Sequence, residues 1–143
     1  MDIRPLTPGY AVSPQIEVTD LPAIAEAGFT TVICNRPDSE IGPEQGSRAM
    51  RDAAEAVGIT FVALPLDQQT LTPENGIRQI ETIADATGPV LAYCRSGTRC
   101  TVIWALGQAG QVPVDEILSK AAKAGYELDH LRPMLEHLAA SRS

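Results

Sequence analysis

Cysteine is scarce in this chain of 143 residues: there are three, an odd number and too few for a disulfide framework. Histidine is scarcer still, at two, and no Cys or His stands at a paired metal-ligand spacing, so neither a metal nor any other cofactor is expected. Positive charge is in deficit, with 11 Lys and Arg against 18 Asp and Glu, a formal net charge of −7. A net-negative surface does not attract nucleic acid or an anionic membrane, which removes both as expected partners. Long apolar runs are also missing, since none approaches the ~18 residues that a membrane span needs. No such run follows Met1-Asp2-Ile3-Arg4-Pro5, so a signal peptide is not expected and a cytoplasm with reduced thiols is the simplest setting. Aromatic residues make up only 4%, but hydrophobic residues at 44% and charged residues at 20% exclude wholesale disorder. The length fits one domain, 1–143, with a real core. No repeat or interdomain linker interrupts it.

What the chain does have is short, continuous apolar runs: 30–34 (TTVIC), 59–64 (ITFVAL) and 89–93 (PVLAY), with a briefer one at 10–12 (YAV). Continuous hydrophobicity means both faces are covered, as in parallel strands between helices. Gly28, Gly58, Gly88 and Gly125 each stand where a helix would end. Thr72-Pro73-Glu74 reads as a helix start: a capping hydroxyl, a proline at the first position, and an acid at the positive dipole end. Strands and helices alternate up to two closing helices at about 113–124 and 129–141. The expected fold is therefore α/β, an open parallel sheet with helices on both faces. The loops at 35–43 and 65–72 and the segment from Cys94 all follow strand C-termini, the edge where such sheets bind ligands.

The chemistry concentrates in Cys94-Arg95-Ser96-Gly97-Thr98-Arg99. It lies between the strand ending at Tyr93 and a helix, beginning near Cys100-Thr101-Val102-Ile103-Trp104, that is apolar nearly all round and so belongs in the core. Unpaired backbone N–H groups at such a junction form an anion cradle. Gly97 permits the tight path, Ser96 and Thr98 are small and polar, Arg95 adds positive charge, and Arg99 can offer a bidentate fork. The same features lower a thiol's pKa, making Cys94 a nucleophilic thiolate near neutral pH. An inert buried cysteine would leave the two arginines and the glycine turn unexplained.

Tyr93 to Arg99 resembles the signature of the beta-lactamase-hydrolase-like, phosphatase-like domain family, whose fold is similar to that of dual-specificity phosphatases. Further stretches fit the same family: 12–16 (VSPQI), 27–29 (AGF), 32–38 (VICNRPD), 113–117 (PVDEI) and 124–126 (AGY). The resemblance implies a protein-tyrosine- or dual-specificity-phosphatase-like fold and a cysteine nucleophile. Its implied reaction is less direct. Tyrosine and dual-specificity phosphatases resemble His-Cys-x5-Arg, but here four residues separate Cys94 from Arg99, Tyr93 replaces the histidine, and Cys100 stands six past the nucleophile.

A Cys-Arg-x-Gly-x-Arg loop looks instead like a rhodanese, and some family members resemble fusions to a persulfide-oxidising type of domain. Sulfur transfer through a Cys94 persulfide is accordingly the leading expectation. The alternative is phosphate-ester hydrolysis through a Cys94 phosphocysteine, with Asp67 resembling the general acid that protonates the leaving group. A third reading, a non-catalytic binder of phosphate or sulfate groups, is disfavoured by the intact Cys94 and Arg99. The expected partner is a small anion: a persulfide, thiosulfate or a phosphate ester.

Arg36, in Asn35-Arg36-Pro37-Asp38, is a candidate substrate contact on the same edge, with Asp38 a partner for a loop arginine; the same four residues read equally as a turn with a solvated charge pair. Cys34 reads as a buried strand-end thiol. Cys100 stands where related sequences often carry Ser or Thr, which weakens any hydroxyl assistance to Cys94, although Thr101 is adjacent. His130 and His137 fall in the last amphipathic helix, far from the loop, and Trp104 belongs to the core.

Overall fold

In the computed structural model, which describes residues 1–142, five strands form one sheet. They are β1 (Arg4–Thr7), β2 (Tyr10–Ser13), β3 (Thr31–Cys34), β4 (Thr60–Ala63) and β5 (Val90–Tyr93), in the order β1-β2-β5-β3-β4. β2, β5, β3 and β4 run parallel, as the continuous apolar runs require, and β5 lies between β2 and β3. The sheet is mixed rather than wholly parallel, because β1 pairs antiparallel with β2. That strand escapes an apolar-run reading for a physical reason: Leu6 is its only buried residue, and Pro5 is tolerated because β1 is an edge.

Among the described residues six α-helices cover the two faces: α1 (Leu21–Glu26), α2 (Ser47–Ala56), α3 (Pro73–Asp85), α4 (Thr98–Gln108), α5 (Val114–Lys123) and α6 (Arg132–Arg142). Successive strand residues point to opposite faces, so β5 divides its side chains between two cores. Leu91 and Tyr93 pack with Leu21, Ile24 and Met50 of α1 and α2. Val90 and Ala92 pack on the other face with Ile103 and Trp104 of α4, Ile117 of α5 and Leu135 of α6. Trp104 is core, stacked on Tyr10 at 6.4 Å between centroids.

Three expected stops, Gly28, Gly58 and Gly125, have positive φ just after α1, α2 and α5. Gly88 is different: its φ is not positive, and a Cβ there would come within 2.8 Å of Thr30 Cγ2. Space, not handedness, excludes a side chain at that position. Thr72 caps α3 as expected, accepting from the Asn75 N–H at 3.2 Å with Pro73 in the first turn. α3 and α4 cross in backbone contact, since a Cβ on Gly76 would lie 2.7 Å from Gly107 N. This crossing fixes α3 against the helix that follows the Cys94 loop. No described helix is long and apolar enough to cross a membrane.

Candidate active site

Cys94 follows β5, the strand flanked by parallel neighbours on both sides, and is fully buried. Its backbone N–H donates to Ser13 O at 3.3 Å, continuing the β2–β5 ladder by one step before the chain turns. The turn depends on Gly97, which sits at φ 90° immediately before α4. A side chain there would be strained in the left-handed region and would also collide with the Tyr126 hydroxyl. That hydroxyl donates to Ser96 O at 2.8 Å, tying one loop carbonyl to the segment after α5. Ser96 and Thr98 bond to each other through their hydroxyls at 2.9 Å, and both are exposed with Arg95 at the loop's outer rim.

The electrostatics of the loop act on one sulfur. A hydrogen bond from the Cys100 thiol lowers the Cys94 pKa most; burial opposes it; backbone N–H groups of Cys100, Ser96 and Gly97 add to the lowering. The Gly97 N–H lies 3.1 Å from Cys94 Sγ. The result is a pKa pulled down to about 5, so Cys94 is a thiolate at neutral pH, as the loop's composition predicts. Burial and the adjacent Cys94 push Cys100 in the opposite direction, well above the ordinary thiol range, so it remains a donor. Cys100 therefore does what the sequence reading reserved for a hydroxyl. Thr101 does not, because its hydroxyl donates to Gly97 O at 2.8 Å.

Arg99 lies in the first turn of α4 and is committed on one edge only. Nη1 donates to Glu40 Oε2 and to Leu66 O, both at 2.9 Å, and Nη2 donates to Glu40 Oε1 at 2.8 Å. Three of its five N–H groups are thus used, and the Nε–H and the second Nη2 proton have no partner among the described residues. Glu40 has no signal in the sequence that ties it to Arg99, since the two are far apart in the chain and no spacing rule joins them. Its carboxyl is held below the usual range by Arg99, with Arg36 adding to the effect.

Two expected site residues have other duties. Arg36 does not reach into the loop: Nε donates to Glu40 Oε1 at 3.1 Å, Nη2 to Glu40 O at 3.2 Å, and Nη1 to Gln15 Oε1 at 3.1 Å. It braces the turn that carries Glu40, the residue that holds Arg99. Asp38, rather than pairing with a loop arginine, accepts from the Ser47 N–H and hydroxyl at 2.8 and 2.7 Å.

Asp67 follows Leu66 at the rim and is exposed, but its Oδ1 accepts from Gln69 N–H at 2.8 Å, Thr70 N–H at 3.0 Å and the Thr70 hydroxyl at 3.1 Å. These bonds, the Thr70 hydroxyl first, hold its pKa below the ordinary aspartate value. That shift favours the anion over the protonated form that a general acid uses. The three bonds make Asp67 the anchor of its own turn.

Cys34 points to the α1–α2 face, opposite to Cys94, and its thiol donates to Arg36 O at 3.3 Å. It is the buried strand-end thiol that was expected, with a pKa raised by burial. The Tyr93 hydroxyl is buried without a well-formed hydrogen bond. His130 and His137 are exposed in the closing helical region, away from the loop. Among the described residues no group of three or more His, Cys, Asp or Glu is placed to hold a metal ion.

A thiolate at a strand C-terminus, ringed by N–H groups and flanked by an arginine at a helix start, on a mostly parallel sheet, defines a protein with the tyrosine/dual-specificity-phosphatase fold. Residues 2–111 match the model of the family described as "Beta-lactamase hydrolase-like protein, phosphatase-like domain", and the chain belongs to that family. A beta-lactamase hydrolase-like protein from Agrobacterium fabrum is 31% identical over 133 residues, covering 91% of this chain and 31% of the relative. The chain thus spans about a third of the length of the curated relatives it matches.

Among solved structures, a candidate phosphatase from Neisseria meningitidis Z2491 is 35% identical, with a TM-score of 0.84 over 96% of this chain and 99% of the other. P. aeruginosa TpbA in complex with pTyr shares the fold at a TM-score of 0.69 and 13% identity, covering 99% of this chain and 90% of the other. The expectation of sulfur transfer gains nothing from these relatives. They favour the phosphatase alternative.

Proposed function

We propose that this domain hydrolyses phosphate monoesters through a Cys94 phosphocysteine. The observation that carries the reading is a buried Cys94 thiolate, with a pKa of about 5, beside an arginine that keeps one two-donor edge free. Cys94 Sγ attacks phosphorus, the P–S bond forms, and the P–O bond to the leaving group breaks with its electron pair on oxygen. Loop N–H groups and the Nε/Nη2 edge of Arg99 take the phosphoryl oxygens, with Arg95 adding positive charge at the rim and Ser96, Gly97 and Thr98 shaping the cradle. Water then attacks phosphorus, releasing inorganic phosphate and returning Cys94 to its stabilised thiolate.

The leaving oxygen must find a proton. Asp67 is held as an anion, so substrates that leave readily suit the site best: aryl phosphates, phosphotyrosine included, ahead of alkyl phosphates. The pTyr bound to TpbA is consistent with such a substrate.

The test is paired turnover on the purified chain, p-nitrophenyl phosphate against thiosulfate with cyanide as acceptor. Release of phosphate, with an acid-stable phosphocysteine trapped in a rapid quench and lost in Cys94→Ser, is the expected result. Thiosulfate turnover with no phosphate release would replace this reading by sulfur transfer.

A further inference from the structure

Asn35 and Gln79 are both almost completely buried, a polar pair inside an otherwise apolar layer between the sheet and α3. Their amides face each other reciprocally: Asn35 Nδ2 donates to Gln79 Oε1 at 3.1 Å, and Gln79 Nε2 to Asn35 Oδ1 at 2.9 Å. Each has a second bond outward. Asn35 Nδ2 donates to Leu64 O at 2.9 Å, and Gln79 Nε2 to the Tyr10 hydroxyl at 3.1 Å. Tyr10 in turn donates to Cys100 O at 2.8 Å, in the first turn of α4.

The backbone of Asn35 extends the same connection. Its N–H donates to Tyr93 O, next to the nucleophile, and its carbonyl accepts from Leu66 N–H, both at 2.9 Å. The Leu66 carbonyl is one of the two groups that hold Arg99. One residue therefore touches the strand that delivers Cys94 and the loop that aims Arg99.

Buried polar networks confer geometric uniqueness more reliably than stability, and apolar pairs of the same shape often replace them at little cost in stability. We propose that the Asn35–Gln79 amide pair is the positioning device that sets Arg99 against Cys94 for capture of an oxyanion. The proposal rests on the phosphatase reading for what is captured, but not for how the pair works. Neither residue touches substrate. The Asn35 amide acts on the Leu66 segment through Leu64 O, two residues before it, and the Gln79 amide acts on the first turn of α4 through the Tyr10 hydroxyl and Cys100 O.

The double variant Asn35→Leu/Gln79→Leu removes both partners together, so no amide is left facing a lost one. It should unfold cooperatively, lose about tenfold or more in kcat/KM for p-nitrophenyl phosphate, and bind inorganic tungstate weaker in proportion. Arg99→Lys should cost less in the double variant than in the wild type, since the fork is no longer aimed. A folded double variant with wild-type kcat/KM and tungstate affinity would overturn the proposal.

If the double variant fails to fold, Gln79→Met, which leaves the Asn35–Leu64 bond in place, carries the same test with a smaller expected loss in both readouts. Unchanged values there would also overturn it. Should the wild type bind tungstate through Arg99 yet not hydrolyse aryl phosphates, the phosphatase reading falls and the pair is still judged on tungstate. A wild type that binds tungstate no better than Arg99→Lys overturns the proposal, because there is then nothing for the pair to aim.

Discussion

Cys94 owes its low pKa to its immediate neighbourhood in the chain: N–H groups of Ser96, Gly97 and Cys100, and the Cys100 thiol. Arg99 owes its orientation to residues 33 and 59 positions away, Leu66 and Glu40. The nucleophile is a product of local backbone geometry, which a seven-residue stretch can encode. The arginine is a product of topology, because the β3 and β4 loops meet it only once the parallel sheet has formed. Damage to the first half should remove chemistry outright, and damage to the second should misdirect it.

The largest effect tests the local half. Cys94→Ser should abolish aryl-phosphate turnover, and iodoacetamide should label Cys94 in the wild type well before Cys34 or Cys100, read by peptide mass mapping. Comparable labelling of all three would show that the loop does not activate its cysteine.

Next is the topological half. Arg99→Lys keeps the charge but cannot grip Glu40 and Leu66 while presenting a second edge, so kcat/KM should fall ~30-fold or more, about 2 kcal/mol. Glu40→Gln keeps the shape and loses the ion pair, and should cost less than Arg99→Lys, with kcat/KM falling and not rising. A lower KM in Glu40→Gln would mean that the carboxylate competes with substrate for the arginine.

A third effect is on stability. The native Cys94 pKa of about 5 lies below that of an unfolded thiol, ~8.5. The unfolded chain therefore binds the extra proton between these values, and stability from this group rises with pH across that window. It is complete above the unfolded pKa and lost as pH falls through about 5. The thermal midpoint of the wild type minus that of Cys94→Ser should climb from pH 5 to pH 8. A flat difference would show that the thiolate is not stabilised by the fold.

The same division explains what could be read in advance. The parallel strands, the cap at Thr72 and the Cys94 loop are local patterns with local causes, and each stands where the sequence places it. β1 was illegible because an edge strand with one buried side chain has no apolar run. Glu40, Asn35 and Gln79 were illegible because a polar residue acquires meaning only from a partner across the fold. Arg36 and Asp67 were legible as residues on the right edge but not as roles: each is captured by its own or a neighbouring turn. Loop length misled in the other direction. The comparison with His-Cys-x5-Arg marked Cys100 only as the residue six past the nucleophile, but its N–H and thiol both act on Cys94.

The smallest expected effect is at Asp67, and it separates a turn-former from an acid. Asn retains an Oδ1 that can accept from Gln69, Thr70 and the Thr70 hydroxyl, so Asp67→Asn should preserve the turn and the Leu66 carbonyl beside it. If the carboxylate only shapes that turn, kcat/KM should stay within about threefold of wild type, under ~1 kcal/mol, whatever the leaving group. If it donates a proton, the loss should be small for nitrophenyl esters, whose leaving groups are already acidic. It should then grow towards ~10²–10⁴-fold for alkyl esters that need protonation. A series of phosphate monoesters graded by leaving-group acidity, run on wild type and Asp67→Asn, distinguishes the two by slope. Parallel lines are expected, because every bond that Oδ1 accepts favours the anion over the protonated form.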